Sequence, residues 1–279
     1  MALVQFQATK NDAGRTLFKF LVKQLNNVPI SKIEKMFRQK AIKVNGSRKC
    51  AKTYELQEND RITVYGISDY QVRSDIQTPI TFTRVYEDEQ ILVVNKPANV
   101  PVHGTDDCLD FQVLAYLRHE QTDSFIPSHI GRLDKPTSGL MIYAKTYAAL
   151  VQLNEKNQYF EKYYELKSDF PWENEEITCY AYYDNETKKV SITDRPSNHR
   201  MVTTFFVQDD KKYAQLHTGK KHQIRLTLQH LGYPVYGDKR YGGKPGKRLF
   251  LHCTKLVLHN LENELEYLND ASFYSPIKW

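Results

Sequence analysis

The sequence contains few cysteines and lacks the long apolar runs that are typical of membrane and secreted proteins. Its 279 residues include only four cysteines, and none of them has the paired spacing of a disulfide framework or a zinc site. No stretch approaches the ~18 consecutive apolar residues that a membrane span needs, and the N-terminus has no apolar signal-peptide core. These absences predict a cytoplasmic protein with reduced thiols and no membrane partner. The cysteines are Cys50, Cys108, Cys179 and Cys253.

The common motifs of cofactor and metal chemistry are also missing. The 12 glycines form neither a P-loop nor a dinucleotide-binding fingerprint. Among the nine histidines, His217 and His222 are five positions apart, which is a poor helical pair for one metal. No nucleophile-elbow sequence of a serine hydrolase occurs. We therefore expect no cofactor and no metal, and the remaining candidate chemistry is that of carboxylates.

Basic residues are concentrated at one end of the chain. Residues 1–66 contain 13 Lys and Arg against 5 Asp and Glu, whereas the rest of the chain has 26 against 28. This asymmetry favours a polyanion-binding module at the N-terminus, although an ordinary solvated basic surface is the alternative.

The apolar spacing of residues 1–66 predicts a compact α+β module. One amphipathic helix carries Leu17, Phe18, Leu21, Val22 and Leu25 on its inner face. A second helix is predicted to open on a capping box of Ser31 and Glu34, with Ile33, Met36 and Phe37 facing inward and Lys32, Lys35 and Arg38 outside. Alternating Ile42 and Val44, an Asn45–Gly46 turn and the strand in "DRITVYG" complete the module.

Three segments of this module resemble the small S-four-like RNA-binding domain first known from a ribosomal small-subunit protein. They are "AGRTLFKFLVKQL", "ISKIEKMFRQKAIKVNG" and "LQENDRITV". The resemblance implies that Lys32, Lys35 and Arg38 bind RNA. A basic module that packs against its neighbour and binds nothing is the alternative.

The remaining chain predicts a second domain of a different kind. Residues 67–80 show no clear period and predict a linker, so the second domain should span 81–279. It contains many short strand-like runs, with helices expected at about 109–119, 146–157 and 221–231. Because strands and helices do not alternate regularly, we expect an α+β fold with a mixed, largely antiparallel sheet and flanking helices.

One short segment of the second domain stands out chemically. "GRLDKPTSGL" at 131–140 places Asp134 between Arg132 and Lys135, in a turn-prone bend between two apolar runs. Nearby cations stabilise an ionised carboxylate, which can act as a nucleophile or as an electrostatic stabiliser. A turn carboxylate that caps its own loop is the alternative.

Five ordered segments of the second domain resemble motifs of the RluA-type family of RNA pseudouridine synthases. They are "NKPANVPVHG" at 95–104, "GRLDKPTSGL", "EKYYELK" at 161–167, "HTGKKHQIRLTLQHLGYPVYGDKRYG" at 217–242 and "LFLHCTKLVLH" at 249–259. The resemblance implies a cofactor-free isomerase that converts uridine in RNA to pseudouridine. Large-subunit ribosomal RNA is the expected substrate, because family members with the same appended domain act there; transfer RNA is an alternative, and we expect a monomer.

The resemblance also assigns roles to single residues. Asp134, Tyr164 and Arg225 match the catalytic residues of the family, and Arg132 matches the arginine that fills the gap left by a flipped base. Lys220 and Lys221, at the start of the third predicted helix, are candidates for holding an RNA phosphate, with a solvated basic pair as the alternative. The chain departs from the family pattern at Leu166, which replaces an alanine, and at Gly131, which replaces a histidine while His129 stands two residues earlier.

Two other functions stay open at this level. A non-catalytic RNA-binding or ribosome-assembly factor of the same fold would have no need of Asp134, Tyr164 and Arg225 together. A glycosidase acting on free nucleosides would leave the basic N-terminal module unused.

Overall fold

The computed structural model describes residues 3–25, 28–67, 78–119, 123–184, 189–193, 195–197 and 199–279. The chain forms two compact units. The first unit comprises residues 1–77, 114–127 and 146–148, and the second comprises 78–113, 128–145 and 149–279. Most of the predicted linker, residues 68–77, lies outside the described residues, so the boundary placed at 67–80 stays a prediction.

The first unit combines two helices with a small antiparallel sheet. The elements are β1 (Leu3–Gln7), α1 (Leu17–Gln24), α2 (Ile30–Arg38), β2 (Ile42–Val44) and β3 (Arg61–Tyr65), with the strand order β1-β3-β2. In α1, Leu17 and Leu21 are fully buried and Phe18 and Val22 are partly buried, as the spacing predicts. Phe20 is fully buried as well, so the buried face of the helix is wider than expected.

The predicted start of the second helix was wrong by two residues. Helix α2 begins at Ile30 with Pro29 as its N-cap, and no side chain caps it. Proline presets the backbone angle that opens a helix, so the helix starts before Ser31 can act as a cap. Glu34 instead forms an ion pair with Lys52, with an Nζ–Oε1 distance of 2.9 Å.

The predicted Asn45–Gly46 turn is confirmed. Both residues have positive φ angles, 49° and 82°, and Val44 and Ser47 exchange two backbone hydrogen bonds of 2.9 Å. This geometry is that of a two-residue hairpin turn.

Segment 114–127 belongs to the first unit because Ser124 is bound there: its backbone N–H donates to Asp12 at 3.0 Å, and its hydroxyl accepts from Arg15 at 2.7 Å.

The second unit is built on one large sheet of 11 strands, which confirms the α+β prediction. Its strands are β4 (Thr83–Glu87), β5 (Ile91–Lys96), β6 (Ser128–Ile130), β7 (Ser138–Ala144), β8 (Glu161–Leu166), β9 (Asn174–Asp184), β10 (Lys189–Thr193), β11 (Arg200–Gln208), β12 (Lys211–Leu216), β13 (Leu251–Val257) and β14 (Ser272–Tyr274). The main order is β10-β9-β11-β12-β8-β13-β7-β5-β4, with β6 beside β7 and β14 beside β13.

Among the described residues from 78 onward, three α-helices lie close to where the sequence predicts them. They are α3 (Leu109–Tyr116), α4 (Tyr147–Lys156) and α5 (Gln223–His230), and two short 3-10 helices span Asn157–Tyr159 and Asn263–Leu268. No helix among the described residues is long and apolar enough to span a membrane.

The centre of the sheet contains a parallel pair in an otherwise antiparallel arrangement. Strands β7 and β13 run parallel, with His252 opposite Ser138 and Cys253 opposite Gly139. Strand β7 is buried along its whole length, so it anchors the segment that precedes it. Gly139 has a φ of 118° and lies directly against the backbone of Cys253, and a side chain there would overlap the O and N atoms of that residue.

We predict that Gly139→Ala destabilises the second unit. Both the left-handed backbone and the overlap with Cys253 disfavour a methyl group, so the free energy of unfolding should fall by about 3 kcal/mol or more. Denaturant unfolding followed by tryptophan fluorescence measures this, because both tryptophans, Trp172 and Trp279, lie in the second unit. Gly219→Ala is the matched control, since its added carbon would meet nothing within 4 Å. Equal unfolding midpoints for the two variants would contradict the close approach.

Candidate active site

Asp134 lies in the connection between β6 and β7. The two strands pair antiparallel, with Ile130 opposite Ile142, so the connection from 131 to 137 leaves and re-enters the same sheet. Within it, the backbone N–H of Thr137 donates to the carbonyl of Asp134 at 3.0 Å, which closes a tight turn. The apolar runs that flank the motif are therefore what hold the carboxylate in place.

The carboxylate of Asp134 is bound by Arg225. Nη1 of Arg225 donates to Oδ2 of Asp134 at 2.7 Å. The same guanidinium forms two further bonds to Asp238, from Nε at 2.7 Å and from Nη2 at 2.9 Å. This is the paired geometry in which a planar guanidinium binds a carboxylate most strongly. Arg225 thus bridges two acidic residues.

Arg225 and Asp238 are both buried, with 5% and 2% of their surfaces exposed. Burial opposes the charge on Arg225, but the hydrogen bonds to Asp238 and Asp134 outweigh it and raise the pKa of the guanidinium. The backbone N–H groups of Arg240 and Tyr241 also donate to Asp238, at 3.1 and 3.2 Å. The bridging cation therefore stays charged and fixed.

Asp134 faces two cavities. One has a volume of about 240 Å³ and includes Tyr164, Leu216 and Ile224 in its wall. The other has a volume of about 420 Å³ and is mostly basic. Among the described residues that line it, Asp134 is the only acidic one, and the cations and imidazoles are His103, Arg132, Lys135, His222, Arg225 and Arg240. We call these the first cavity and the basic cavity. The carboxylate stands in the wall of both.

Tyr164 and its neighbour Tyr163 point to opposite faces of β8. Tyr164 is buried at 7% exposure, pairs with Cys253 of β13 and lines the first cavity with Asp134. Burial raises the pKa of its hydroxyl well above the ordinary value, with smaller contributions from Cys253 and Asp134. Tyr163 instead donates to Glu161 at 2.7 Å. The register therefore brings Tyr164, not Tyr163, to the cavity.

The predicted RNA-contacting residues of the second unit line these cavities. Arg132 is exposed and borders both, and none of the described carboxylates forms an ion pair with it. Lys220 and Lys221 border the first cavity. Helix α5 begins at Gln223 rather than at 221, so both lysines precede the helix. Lys32, Lys35 and Arg38 lie on the exposed side of α2 in the first unit.

Gly131, which replaces the family histidine, lies in a backbone conformation that suits glycine. Gly131 has a φ of 61°, a left-handed conformation that favours glycine, and the side-chain amide of Asn157 would lie 3.5 Å from a carbon added there. His129 turns elsewhere: its Nδ1 lies 2.9 Å from Asp110, and its ring stacks on His103. The amide of Asn157, which also lines the first cavity, is thus the polar group beside this backbone.

Sequence reasoning missed the supporting residues around Asp134. Lys96, in the quoted "NKP" segment, is fully buried, and its ammonium group donates to the carbonyls of Pro97, Val100 and Lys135 at 2.9, 2.8 and 3.2 Å. It therefore ties the end of β5 to the turn that carries Asp134. Burial and the charge of Arg248 lower the pKa of Lys96 to about 7, against the opposing effect of Asp134.

Asp238 and His222 were also missed, although both stand in the quoted 217–242 segment. Asp238 anchors Arg225, and Nε2 of His222 lies 3.5 Å from Oδ1 of Asp134. A motif match alone carried no signal for either role. Asp238 meets Arg225 only once the chain is folded, and Asp134, which faces His222, stands in a different motif.

Comparison with known proteins identifies the family. A sequence profile described as RNA pseudouridylate synthase matches residues 90–230, which is half of the chain. The chain belongs to this family. A relative from Mycoplasma capricolum subsp. capricolum, named as an uncharacterized RNA pseudouridine synthase, is 35% identical over an alignment of 300 positions that covers 99% of each chain. The protein is therefore an RNA pseudouridine synthase, and the predicted likeness to the RluA type is confirmed.

More distant relatives and solved structures agree with this membership. Ribosomal large subunit pseudouridine synthase C of Escherichia coli is 29% identical over 280 residues, covering 89% of this chain and 86% of its own. The structure of human RNA pseudouridylate synthase domain containing 4 aligns with a TM-score of 0.54 at 22% identity, covering 70% of this chain and 88% of that chain. The human structure bears on the fold alone.

We predict that Arg225→Lys weakens the site even though it keeps the charge. A lysine cannot donate to Asp134 and make a paired contact with Asp238 at the same time, so unfolding should become easier by about 2 kcal/mol and isomerisation should slow. Denaturant titration and the rate of pseudouridine formation measure the two effects. Arg240→Lys is the stability control, because Arg240 is exposed and should shift unfolding by less than about 0.5 kcal/mol. If Arg225→Lys is as stable and active as the wild type, the bridge is not needed.

Proposed function

We propose that this enzyme isomerises specific uridines of large-subunit ribosomal RNA, with Asp134 as the catalytic carboxylate and with the target base flipped out of its stack. Two relatives support this class of RNA by their names: ribosomal large subunit pseudouridine synthase C of Escherichia coli and ribosomal large subunit pseudouridine synthase D of Buchnera aphidicola. The basic N-terminal segment supports a large RNA rather than a nucleoside as substrate.

The observation that carries the proposal is the way in which Asp134 is bound. Arg225 occupies Oδ2, and Asp134 stands in the wall of both cavities. Pseudouridine formation breaks the bond from N1 of uracil to C1′ of ribose and forms a bond from C5 to C1′, while the proton of C5 is lost and N1 gains one. An ionised carboxylate serves this reaction as a nucleophile or as a stabiliser of an electron-poor sugar, and the guanidinium of Arg225 binds this carboxylate at 2.7 Å.

The target uridine enters the first cavity in this account. Its wall combines the aromatic ring of Tyr164 with the apolar side chains of Leu216 and Ile224, which suits a flat base. Since Tyr164 stays protonated at neutral pH, its hydroxyl is available as a hydrogen-bond donor and for assistance in proton transfer. Lys220 and Lys221 then face the incoming strand and hold a phosphate.

The basic cavity takes the sugar-phosphate backbone next to the target. Its exposed cations include Arg132, Lys135 and Arg240, and they surround one carboxylate that is paired with Arg225. A concave surface of one charge sign attracts a polyanion. Arg132, free of ion pairs with the described carboxylates, is positioned to fill the gap that the flipped base leaves.

The first unit supplies further RNA affinity in this account. Lys32 and Lys35 are exposed on one side of α2, and Arg38 ends the same helix. Phosphate contacts of this kind supply affinity that is independent of sequence and sensitive to salt. Transfer RNA offers the same phosphates, so modification of transfer RNA alone would contradict the choice of ribosomal RNA.

We predict that Asp134→Asn abolishes isomerisation and leaves RNA binding within about twofold. The amide keeps the shape of the side chain but loses the charge and the nucleophilicity. Single-turnover release of tritium from RNA labelled at C5 of uridine measures the reaction, and filter binding measures affinity. Asp209→Asn, in the exposed turn between β11 and β12, is the control for a simple loss of one negative charge and should retain turnover. Activity of Asp134→Asn within tenfold of the wild type would overturn the catalytic assignment.

We predict that Arg132→Ala impairs the modification of structured RNA more than that of a short unstructured oligonucleotide. A uridine in folded RNA must leave its stack, which costs a few kcal/mol, and a side chain in the gap offsets part of that cost. A flexible single strand has little stacking to lose. Single-turnover rates on both RNAs, for wild type and variant, test this. Equal fractional losses would leave Arg132 as a general electrostatic residue without a flipping role.

A further inference from the structure

His222 adopts a backbone conformation that is unfavourable for its residue type. It immediately precedes α5 and has φ 57° and ψ 22°, in the left-handed region. Residues with a side chain seldom occupy this region, and where they do, the surrounding structure must offset the strain. No side chain caps α5 at this position, so helix capping does not account for the conformation.

The conformation places the imidazole between two polar groups. Nδ1 lies 2.7 Å from the hydroxyl of Tyr241, and the two rings meet edge to face at 5.7 Å. Nε2 lies 3.5 Å from Oδ1 of Asp134, and the imidazole borders both cavities. In the neutral tautomer that satisfies both contacts, Tyr241 donates to Nδ1 and the Nε2 hydrogen faces Asp134.

The two oxygens of Asp134 thus face different donors. Arg225 donates to Oδ2 at 2.7 Å, whereas the separation of 3.5 Å at Oδ1 is too long for a strong hydrogen bond. The contact with His222 is therefore mainly electrostatic, and it orients the carboxylate without occupying the oxygen. An oxygen held in this way stays available to a substrate in the cavity.

We propose that neutral His222 is a positioning residue that orients Oδ1 of Asp134 toward the substrate, and that protonation of His222 slows the reaction. The proposal rests on the proposed function, because it assigns His222 a role through the catalytic carboxylate. An imidazolium at this place would form an ion pair with Oδ1. This ion pair would stabilise the carboxylate more before the reaction than in the transition state, so the reaction would be slower.

The charges around His222 determine the pH range of this effect. Asp134 faces it from the turn before β7, Lys221 from the residue before it and Arg225 from the first turn of α5. Arg240 and Tyr241 face it from the segment that follows α5. Burial lowers the pKa of His222, Asp134 raises it, and the cations lower it further, so that the pKa lies below its ordinary value of 6.5. His222 is therefore neutral at pH 7, and the rate should fall as the pH decreases below about 6.5.

The test compares pH–rate profiles of the full-length protein. The probe is an in-vitro transcript of large-subunit ribosomal RNA labelled with tritium at C5 of uridine, followed in single turnovers from pH 5 to 8.5. His222→Gln keeps a donor near the position of Nε2 but cannot be protonated. It should retain the rate at pH 7.5 within about threefold and lose the acidic decline. His222→Ala should be at least about tenfold slower at pH 7.5, with RNA affinity unchanged.

Two further variants separate a positioning role from a structural one. Tyr241→Phe removes the donor that stabilises neutral His222, so its acidic decline should move to higher pH. His230→Gln, at the exposed far end of α5, is the matched histidine control and should keep the wild-type profile. A wild-type decline in His222→Gln, or a wild-type rate in His222→Ala, would overturn the proposal. If His222→Gln fails to fold, the direction of the shift in Tyr241→Phe decides.

A titration by NMR tests the contact without any turnover. The imidazole of His222 should carry its proton on Nε2 at pH 7.5 and should titrate below pH 6.5. In Asp134→Asn the titration should move lower still, because the carboxylate that favours the imidazolium is gone. An unchanged titration in Asp134→Asn would overturn the proposal even if the wild type modifies RNA. Absence of turnover in the wild type would instead overturn the proposed function, and the NMR result would still decide the contact.

Discussion

The guanidinium of Arg225 is the group on which the site depends. It is buried with one carboxylate, Asp238, and it reaches a second, Asp134, that is partly exposed at the cavities. A buried cation without partners would be strongly unfavourable. Asp238 is therefore needed to keep Arg225 in the position from which it donates a hydrogen bond to Asp134. The backbone N–H groups that bind Asp238 fix this anchor in turn. The position of the guanidinium that binds Asp134 is thus built into the fold.

The large sheet brings these groups together from distant parts of the chain. Strand β7 is wholly buried and pairs parallel with β13, while β8 on the other side of β13 carries Tyr164. Asp134 and Arg225 are 91 residues apart in the sequence, yet their side chains are hydrogen-bonded in the folded protein. Lys96, the last residue of β5, is tied to the turn of Asp134 by its bond to the carbonyl of Lys135, and it also donates to the carbonyls of Pro97 and Val100. Rigid central strands therefore hold the turn on which Asp134, the proposed catalytic carboxylate, stands.

Part of this could be predicted from the sequence, for physical reasons that differ by residue. Asp134 and Arg225 each stand in a short continuous motif that can be recognised in the sequence. The alternation of side chains along a strand separates Tyr164 from Tyr163. Asp238 could not be assigned, because its partner is known only once α5 and the following turn meet. The left-handed backbone of His222 has no signature in residue type. The capping box at Ser31 failed because Pro29 fixes the start of the helix first.

The most direct test of the whole account is a map of pseudouridines in RNA from cells with and without this protein. We expect at least one pseudouridine of large-subunit ribosomal RNA to be absent when the protein is absent, and to return when the wild-type chain is supplied. The Asp134→Asn chain, expressed at the same level, should fail to restore it. An unchanged map, a loss confined to transfer RNA, or restoration by Asp134→Asn would contradict the account.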